Sequence, residues 1–109
     1  MAGNVAVAKG QATKIDWFYS LNLDCTEAPG VSGRLVAKPA HGTVAIEHKQ
    51  DYPNFAADNP HSPCNGQLVP AWVVTYAPAA GFVGHDAFSY DELFATGPQV
   101  HMDINVDVK

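Results

Sequence analysis

The sequence predicts an all-β chain, an antiparallel sandwich of two sheets built from about seven short strands. Three observations predict it. Apolar and polar residues alternate with a period of two along the strongly patterned segments. Turn formers punctuate those segments, with eight Pro and nine Gly in 109 residues. No stretch of roughly ten residues combines helical periodicity with a capping pattern.

Taken in order, a short strand is expected near Val5–Ala8. Residues 14–23 form the next, and its segment Ile15-Asp16-Trp17-Phe18-Tyr19-Ser20-Leu21 is apolar enough to cross the core. Trp17 and Tyr19 share one face and Phe18 takes the other. Residues 31–37 make a third strand. Val44, Ile46 and His48 alternate with Thr43, Ala45 and Glu47 in a fourth. Trp72, Val74 and Tyr76 alternate with Val73 and Thr75 in a fifth. Residues 86–94 make a sixth, with Phe88, Tyr90 and Glu92 on one face and Ala87, Ser89 and Asp91 on the other. The last strand is the cleanest. Val100, Met102, Ile104, Val106 and Val108 face the core, while His101, Asp103, Asn105, Asp107 and Lys109 face water. Pro29-Gly30, Pro39-Ala40-His41-Gly42, Pro78 to Gly84 and Gly97-Pro98 supply the turns. Residues 50–71 break the spacing. They hold Pro53, Pro60, Pro63 and Pro70 and are expected to form one long inserted loop, a feature that is often functional.

A chain of 109 residues makes one domain, 1–109. Apolar residues make up 47% and charged residues 16%, which excludes a disordered chain. Six basic residues stand against eleven acidic ones, for a net charge of −5. Six scattered cations do not make a phosphate-binding patch, so neither nucleic acid nor an anionic membrane surface is expected as a partner. No apolar run approaches the roughly 20 residues of a membrane helix, so no membrane insertion is expected.

The chain has two cysteines, Cys25 and Cys64. They are too far apart for a Cys-x-x-Cys redox pair and too few for a closed zinc site. Two readings follow. They are free thiols of a cytosolic protein, or one disulfide of an exported protein. Met1-Ala2-Gly3-Asn4 lacks the basic start and apolar stretch of a signal peptide, so the second reading requires a leader that has been removed. The loop-like setting of both cysteines favours the second reading. A bridge between them would stabilise the fold by roughly 4 kcal/mol in the chain-entropy treatment.

Two segments carry a resemblance. Pro39-Ala40-His41-Gly42-Thr43-Val44 resembles the Pro-x-His/Asn-Gly-Thr-Val turn-strand of bacterial immunoglobulin-like and cadherin-like extracellular repeats. The segment from Tyr76 through Pro78, Gly81, Phe82, Gly84, Asp86 and Phe88 to Tyr90 resembles their Tyr-x-Pro-x-x-Gly-Phe-x-Gly-x-Asp-x-Phe-x-Tyr signature. The two occur in family order and anchor residues 39–108. The physics agrees with the likeness. Gly81 and Gly84 suit a tight turn, Pro78 suits a position just past a strand, and Asp86 can accept turn N–H groups. The resemblance implies an immunoglobulin-like sandwich, exported to the periplasm, surface or medium, with a binding or spacing role. The chain departs from the family in standing as one domain, in its cysteines and in the insertion. It is closer there to small stand-alone exported variants.

Chemistry-bearing patterns are sparse. Five histidines invite a metal hypothesis. His41 belongs to the family turn, His85 to a variable turn position, His48 and His101 to strands, and His61 to the loop. No pair has local ligand spacing, and a site from His61 and Cys64 needs Cys64 free. The Cys, His, Met order of a copper sandwich fails, because the next His after Cys64 is His85 and Met102 directly follows His101. Asp103, Asn105 and Asp107 lie along a flat strand about 7 Å apart, unlike a calcium loop. No serine has a Gly-x-Ser-x-Gly context, and Asp91 and Glu92 point to opposite faces. No metal, no cofactor and no enzyme activity are expected. The expected role is binding of another macromolecule, a protein or surface polysaccharide, by a monomer. The candidate contact residues are Tyr52, Asn54, Phe55, His61, Asn65 and Trp72, since aromatic side chains on a braced loop suit binding hot spots. The alternative is a protease-inhibitor-like protein presenting the disulfide-braced loop 59–66, pre-organised to lower its binding cost.

Overall fold

Two sheets bury the apolar faces that the alternation marks out. The computed structural model describes residues 1–95, 97 and 99–109, so the Gly97-Pro98 turn signal lies partly outside the described residues, at Pro98. Among those described, the order is β1 (Ala2–Val7), β2 (Thr13–Phe18), β3 (Ser32–Ala37), β4 (Gly42–Asp51), a short 3-10 helix (Ser62–Gly66), β5 (Val69–Pro78), β6 (Gly84–Leu93) and β7 (Val100–Val108). One sheet has four strands in the order β1-β7-β6-β3 and the other has three, β2-β5-β4. In an immunoglobulin constant-type sandwich, strands B, E and D share one sheet with A, and C, F and G form the other. Here β2-β5-β4 corresponds to B-E-D and β7-β6-β3 to G-F-C, and the first strand has moved beside the last.

That move corrects the expectation of a wholly antiparallel sandwich. β1 runs parallel to β7, in register from Ala2↔Asp103 to Val7↔Val108. The β2–β5, β4–β5, β3–β6 and β6–β7 pairs are antiparallel. A parallel pair needs a long crossover between its strands. The first and last strands of a chain have the whole fold between them, and no turn dictates their relative direction.

The core between the sheets gathers Val7, Phe18, Val74, Tyr76, Phe88, Tyr90, Ile104, Val106 and Val108. In β7, Ile104 and Val106 are buried while Asp103 and Asp107 are exposed, the register that alternation requires. Tyr76, Phe88 and Tyr90 stack in sequence, each ring centroid 6.0 Å from the next. β5 is buried on both faces: Val74 and Tyr76 face the main core, and Val69, Ala71 and Val73 are 6% exposed or less on the other side. The second face is closed by Trp17, which lies opposite Val73 in the ladder, and by the inserted loop, which forms a separate apolar cluster of Leu21, Cys64 and Val69 with Tyr19, Cys25 and Phe55.

Besides β1, which starts at Ala2 rather than near Val5, two boundaries differ from the sequence expectation. The inserted loop is 52–68 rather than 50–71, because the β4–β5 ladder continues to Asp51↔Val69. Pro70 reads as a breaker, yet it lies past Phe18↔Trp72, where β5 has no β2 neighbour, and proline is tolerated where a strand has a free side. β2 stops at Phe18 instead of running to residue 23, because the chain then folds into a tight hairpin between Leu21 and Glu27.

Candidate functional site

The inserted loop and this small hairpin meet at one end of the sandwich. The Asn22 N–H donates to the Thr26 carbonyl at 2.8 Å, and the Cys25 N–H donates to the Asn22 carbonyl at 3.0 Å. Asp24 Oδ1 accepts the Thr26 N–H at 3.1 Å and the Thr26 hydroxyl. Cys25 sits at φ +70°, the left-handed region. A turn followed by one left-handed residue is a common hairpin connection, normally filled by glycine; a side chain there costs about 1 kcal/mol. What cysteine brings instead is a covalent tie. Cys25 and Cys64 form a disulfide, with Cα atoms 5.6 Å apart. Cys64 is fully buried within the 3-10 helix.

Side chains hold the loop in addition to the bridge. The Trp17 indole N–H donates to the Tyr52 carbonyl at 3.0 Å. The Tyr19 hydroxyl donates to Asn54 Oδ1 at 2.8 Å and accepts the Asn54 N–H at 2.9 Å. Asn65 clasps Phe55 from both sides: its Oδ1 accepts the Phe55 N–H and its Nδ2 donates to the Phe55 carbonyl, both at 2.9 Å. The Phe55 ring meets Tyr19 edge-on at 5.2 Å and lies against His61 at 5.1 Å. The His61 ring nitrogens lie 3.0 Å from Asn59 Oδ1 and from the Leu21 carbonyl oxygen.

Of the six candidate contact residues, Asn54, Phe55, His61 and Asn65 are brought together here, and each uses its side chain to brace the loop. Tyr52 is adjacent and 53% exposed. Trp72 lies apart. Its ring stacks on His48 at 5.0 Å and packs against the main core. Its indole nitrogen is buried with no hydrogen-bond partner among the described residues. His48 in turn lies 2.7 Å from Glu27, which ties the hairpin to β4. Beside Tyr52, two large apolar side chains that the sequence did not single out face solvent at this end, Leu23 at 69% and Leu68 at 54% exposure. Leu23 occupies the hairpin tip, and Leu68 precedes the last β4–β5 pair just as Tyr52 follows it. Gln67, next to Leu68, reaches Cys25 Sγ at 3.4 Å. A leucine beside a turn aspartate, Leu23-Asp24, is the one signal in the sequence that marks an apolar side chain on a hairpin tip.

The motif residues cluster at the opposite end. Asp86, 3% exposed, accepts the Tyr76 hydroxyl at 2.7 Å and the N–H groups of Ala40 and His41 at 2.9 and 3.0 Å. Burial pushes its carboxyl up, but these hydrogen bonds outweigh that and hold it below the usual aspartate value. Burial and the Asp86 charge push the Tyr76 phenol well up. Gly42 is required by close approach: a Cβ there would come 2.5 Å from the Ala77 carbonyl oxygen. Pro78 lies opposite Gly42 in the ladder, the His41 ring stacks on Phe82 at 4.3 Å, and Pro39 is half-buried. Gly81 and Gly84 have φ of +78° and +137°.

Two further polar groupings were invisible in the sequence. On the outer face of the four-stranded sheet, buried Asp91 bonds Arg34, Gln99 and His101. The His101 bond, joined by Arg34, holds the Asp91 carboxyl low, and the Asp91 and Asp103 bonds raise the His101 imidazole. Between the sheets, an irregularity in β2 between Lys14 and Asp16 places Asp16 opposite Val74, where it accepts the Tyr90 hydroxyl. Burial, then the Asp16 charge, pushes the nearby Glu92 carboxyl up to about 7. Among the described residues, no group of three or more His, Cys, Asp or Glu side chains is arranged to hold a metal ion.

No helix among the described residues is long and apolar enough to cross a membrane. No protein-family model matches the chain, and no curated protein matches it. Among solved structures, the solution structure of amebosin is similar at a TM-score of 0.54 and 14% sequence identity, covering 97% of this chain and 88% of that one. At that identity the likeness bears on the fold alone, and it supports the two-sheet sandwich.

Proposed function

We propose that this protein is a non-enzymatic interaction module of the bacterial immunoglobulin-like kind, exported to an oxidising compartment, and that its disulfide-braced end docks a protein partner. One observation carries the reading. Three of the six large apolar side chains that are exposed among the described residues, Leu23, Tyr52 and Leu68, lie at this end, on backbone held by the Cys25–Cys64 bridge. Ordering mobile side chains and loops is a main cost of association, so a rigid apolar patch is a favourable docking surface. Two exposed leucines and a tyrosine at one end favour a protein over a polysaccharide. The disulfide supports export, because such bridges persist in oxidising compartments. The roles of Asp86, Tyr76 and Gly42 support the family resemblance, since each motif residue has a structural task. The protease-facing alternative lacks support: residues 62–66 wind into a 3-10 helix around buried Cys64 rather than extend toward a partner.

Capture from periplasmic and extracellular protein fractions tests the reading. The variant L23S/Y52S/L68S should lose at least about tenfold in partner binding, while V36S/V83S, which alters exposed residues elsewhere, should bind as wild type. Equal capture by the two variants would overturn the proposal.

A further inference from the structure

A second site lies at the far end of β4. Thr43 and Asp51 are eight residues apart on that strand, which places this site about 27 Å from the braced end. Here the edge strands β3 and β4, one from each sheet, leave the seam of the sandwich open. The result is a cleft of about 210 Å³ lined by Leu35, Lys38, Pro39, Gly42, Thr43 and Val44. Leu35 and Val44 belong to the rows that pack against the main core, so the cleft's floor is apolar. Its Pro39 and Gly42 edges flank the turn that Asp86 grips through the Ala40 and His41 N–H groups, which fixes that part of the rim before any ligand arrives.

The charge in this cleft has one sign. Among the described residues Lys38 is its only charged lining residue; it is exposed and makes no ion pair with any of them. The Thr43 hydroxyl adds a hydrogen-bond donor at the same rim. Asp86, behind the turn, has its carboxylate engaged by Tyr76, Ala40, His41 and Ala87. An apolar floor with an unpaired ammonium at its mouth is complementary to an amphipathic anion. The volume falls below the roughly 300 Å³ at which ordinary ligand pockets begin, so the occupant is small.

We propose that this cleft binds a small apolar monocarboxylate, its carbon chain or ring against Leu35, Pro39 and Val44 and its carboxylate at Lys38 and Thr43. The site is independent of the partner surface at the braced end.

Amide NMR titration of the full chain with hexanoate and benzoate tests it, with hexanol and hexylammonium as controls. Both acids should shift amides within 35–44, with a dissociation constant on the order of 1 mM, the scale for ligands of so few atoms. Lys38 is exposed, so its charge can be reversed without touching the core. Lys38→Glu should abolish the hexanoate shifts and let hexylammonium produce them at the same amides. Absent or scattered shifts with the acids, equal binding of hexanol, or unchanged hexanoate binding by Lys38→Glu would each overturn the assignment.

Discussion

Asp86 is where sequence and structure meet most closely at the scale of a residue. Its place in the Gly-x-Asp-x-Phe-x-Tyr pattern marks it as a turn acceptor, but the turn it holds is 45 residues away, at Ala40 and His41. A local motif states that a carboxylate is needed and says nothing of which backbone it will reach. Charge-assisted hydrogen bonds contribute more than neutral ones. Asp86→Asn keeps the shape but places an amide nitrogen against donors, and should cost about 2 kcal/mol. Urea unfolding should show a lower midpoint with an unchanged slope, since the surface exposed on unfolding stays the same. Its depressed pKa adds a second signature. The wild-type contribution is present above the ordinary aspartate value of 3.8 and is lost as pH falls through the folded value, so the loss in the variant should shrink in acid.

The inserted loop is the element that most changed meaning. Its prolines, its length and Cys64 all mark it out in the sequence, and the bridge to Cys25 is present. Of its proposed docking face, Tyr52 alone was legible, and it is exposed. Phe55, His61 and Asn65, which also suggest recognition, instead satisfy one another and the hairpin. The hairpin itself was hidden because its left-handed position holds Cys25 rather than glycine. With 39 residues between the cysteines, the chain-entropy treatment assigns the bridge about 4 kcal/mol, and an alanine at position 25 meets the same left-handed backbone cost as the cysteine. The variant C25A/C64A should therefore lose about 4 kcal/mol by chemical denaturation. Hydrogen exchange should quicken at 21–27 and 52–68 while β6 and β7 keep their protection relative to the new global stability. Equal relative loss in β6 and β7 would mean that the loop and the sandwich unfold as one unit.

For the molecule as a whole, the titrating groups pull in two directions, and their balance sets an optimum. The carboxyls of Asp24, Asp51, Asp86 and Asp91 lie below 3.8 when folded, so their stabilisation is present above that value and lost only in stronger acid. Glu92 lies at about 7 against an ordinary 4.5. Its folded form favours the proton, so that contribution is complete below 4.5 and is lost as pH rises to about 7. His101, raised above 6.5 by Asp91 and Asp103, loses its contribution as pH rises through its folded value. Stability should therefore peak in weak acid, near pH 5 as an order-of-magnitude placement, and decline toward pH 8. Glu92→Gln should remove most of the decline between 4.5 and 7 and stabilise the protein at pH 8 by about 1–2 kcal/mol, a figure discounted because the carboxyl is only half-buried. Melting temperatures from pH 4 to 8 check both. A wild-type profile that is flat or rises across that range, or an unchanged slope in Glu92→Gln, would contradict the assignment.

Strand identity, the inward face of β7 and the turn signals followed from the sequence alone, because each rests on local patterning: a period of two, a proline, a glycine suited to a positive φ. Only the tertiary structure decided the rest. It set β1 parallel to β7, buried both faces of β5, turned Phe55 against Tyr19 and His61 while leaving Tyr52 exposed, and brought Asp16 near Glu92. It also opened the seam at Lys38. These outcomes depend on which surfaces from distant parts of the chain come into contact, and local alternation carries no record of its partner.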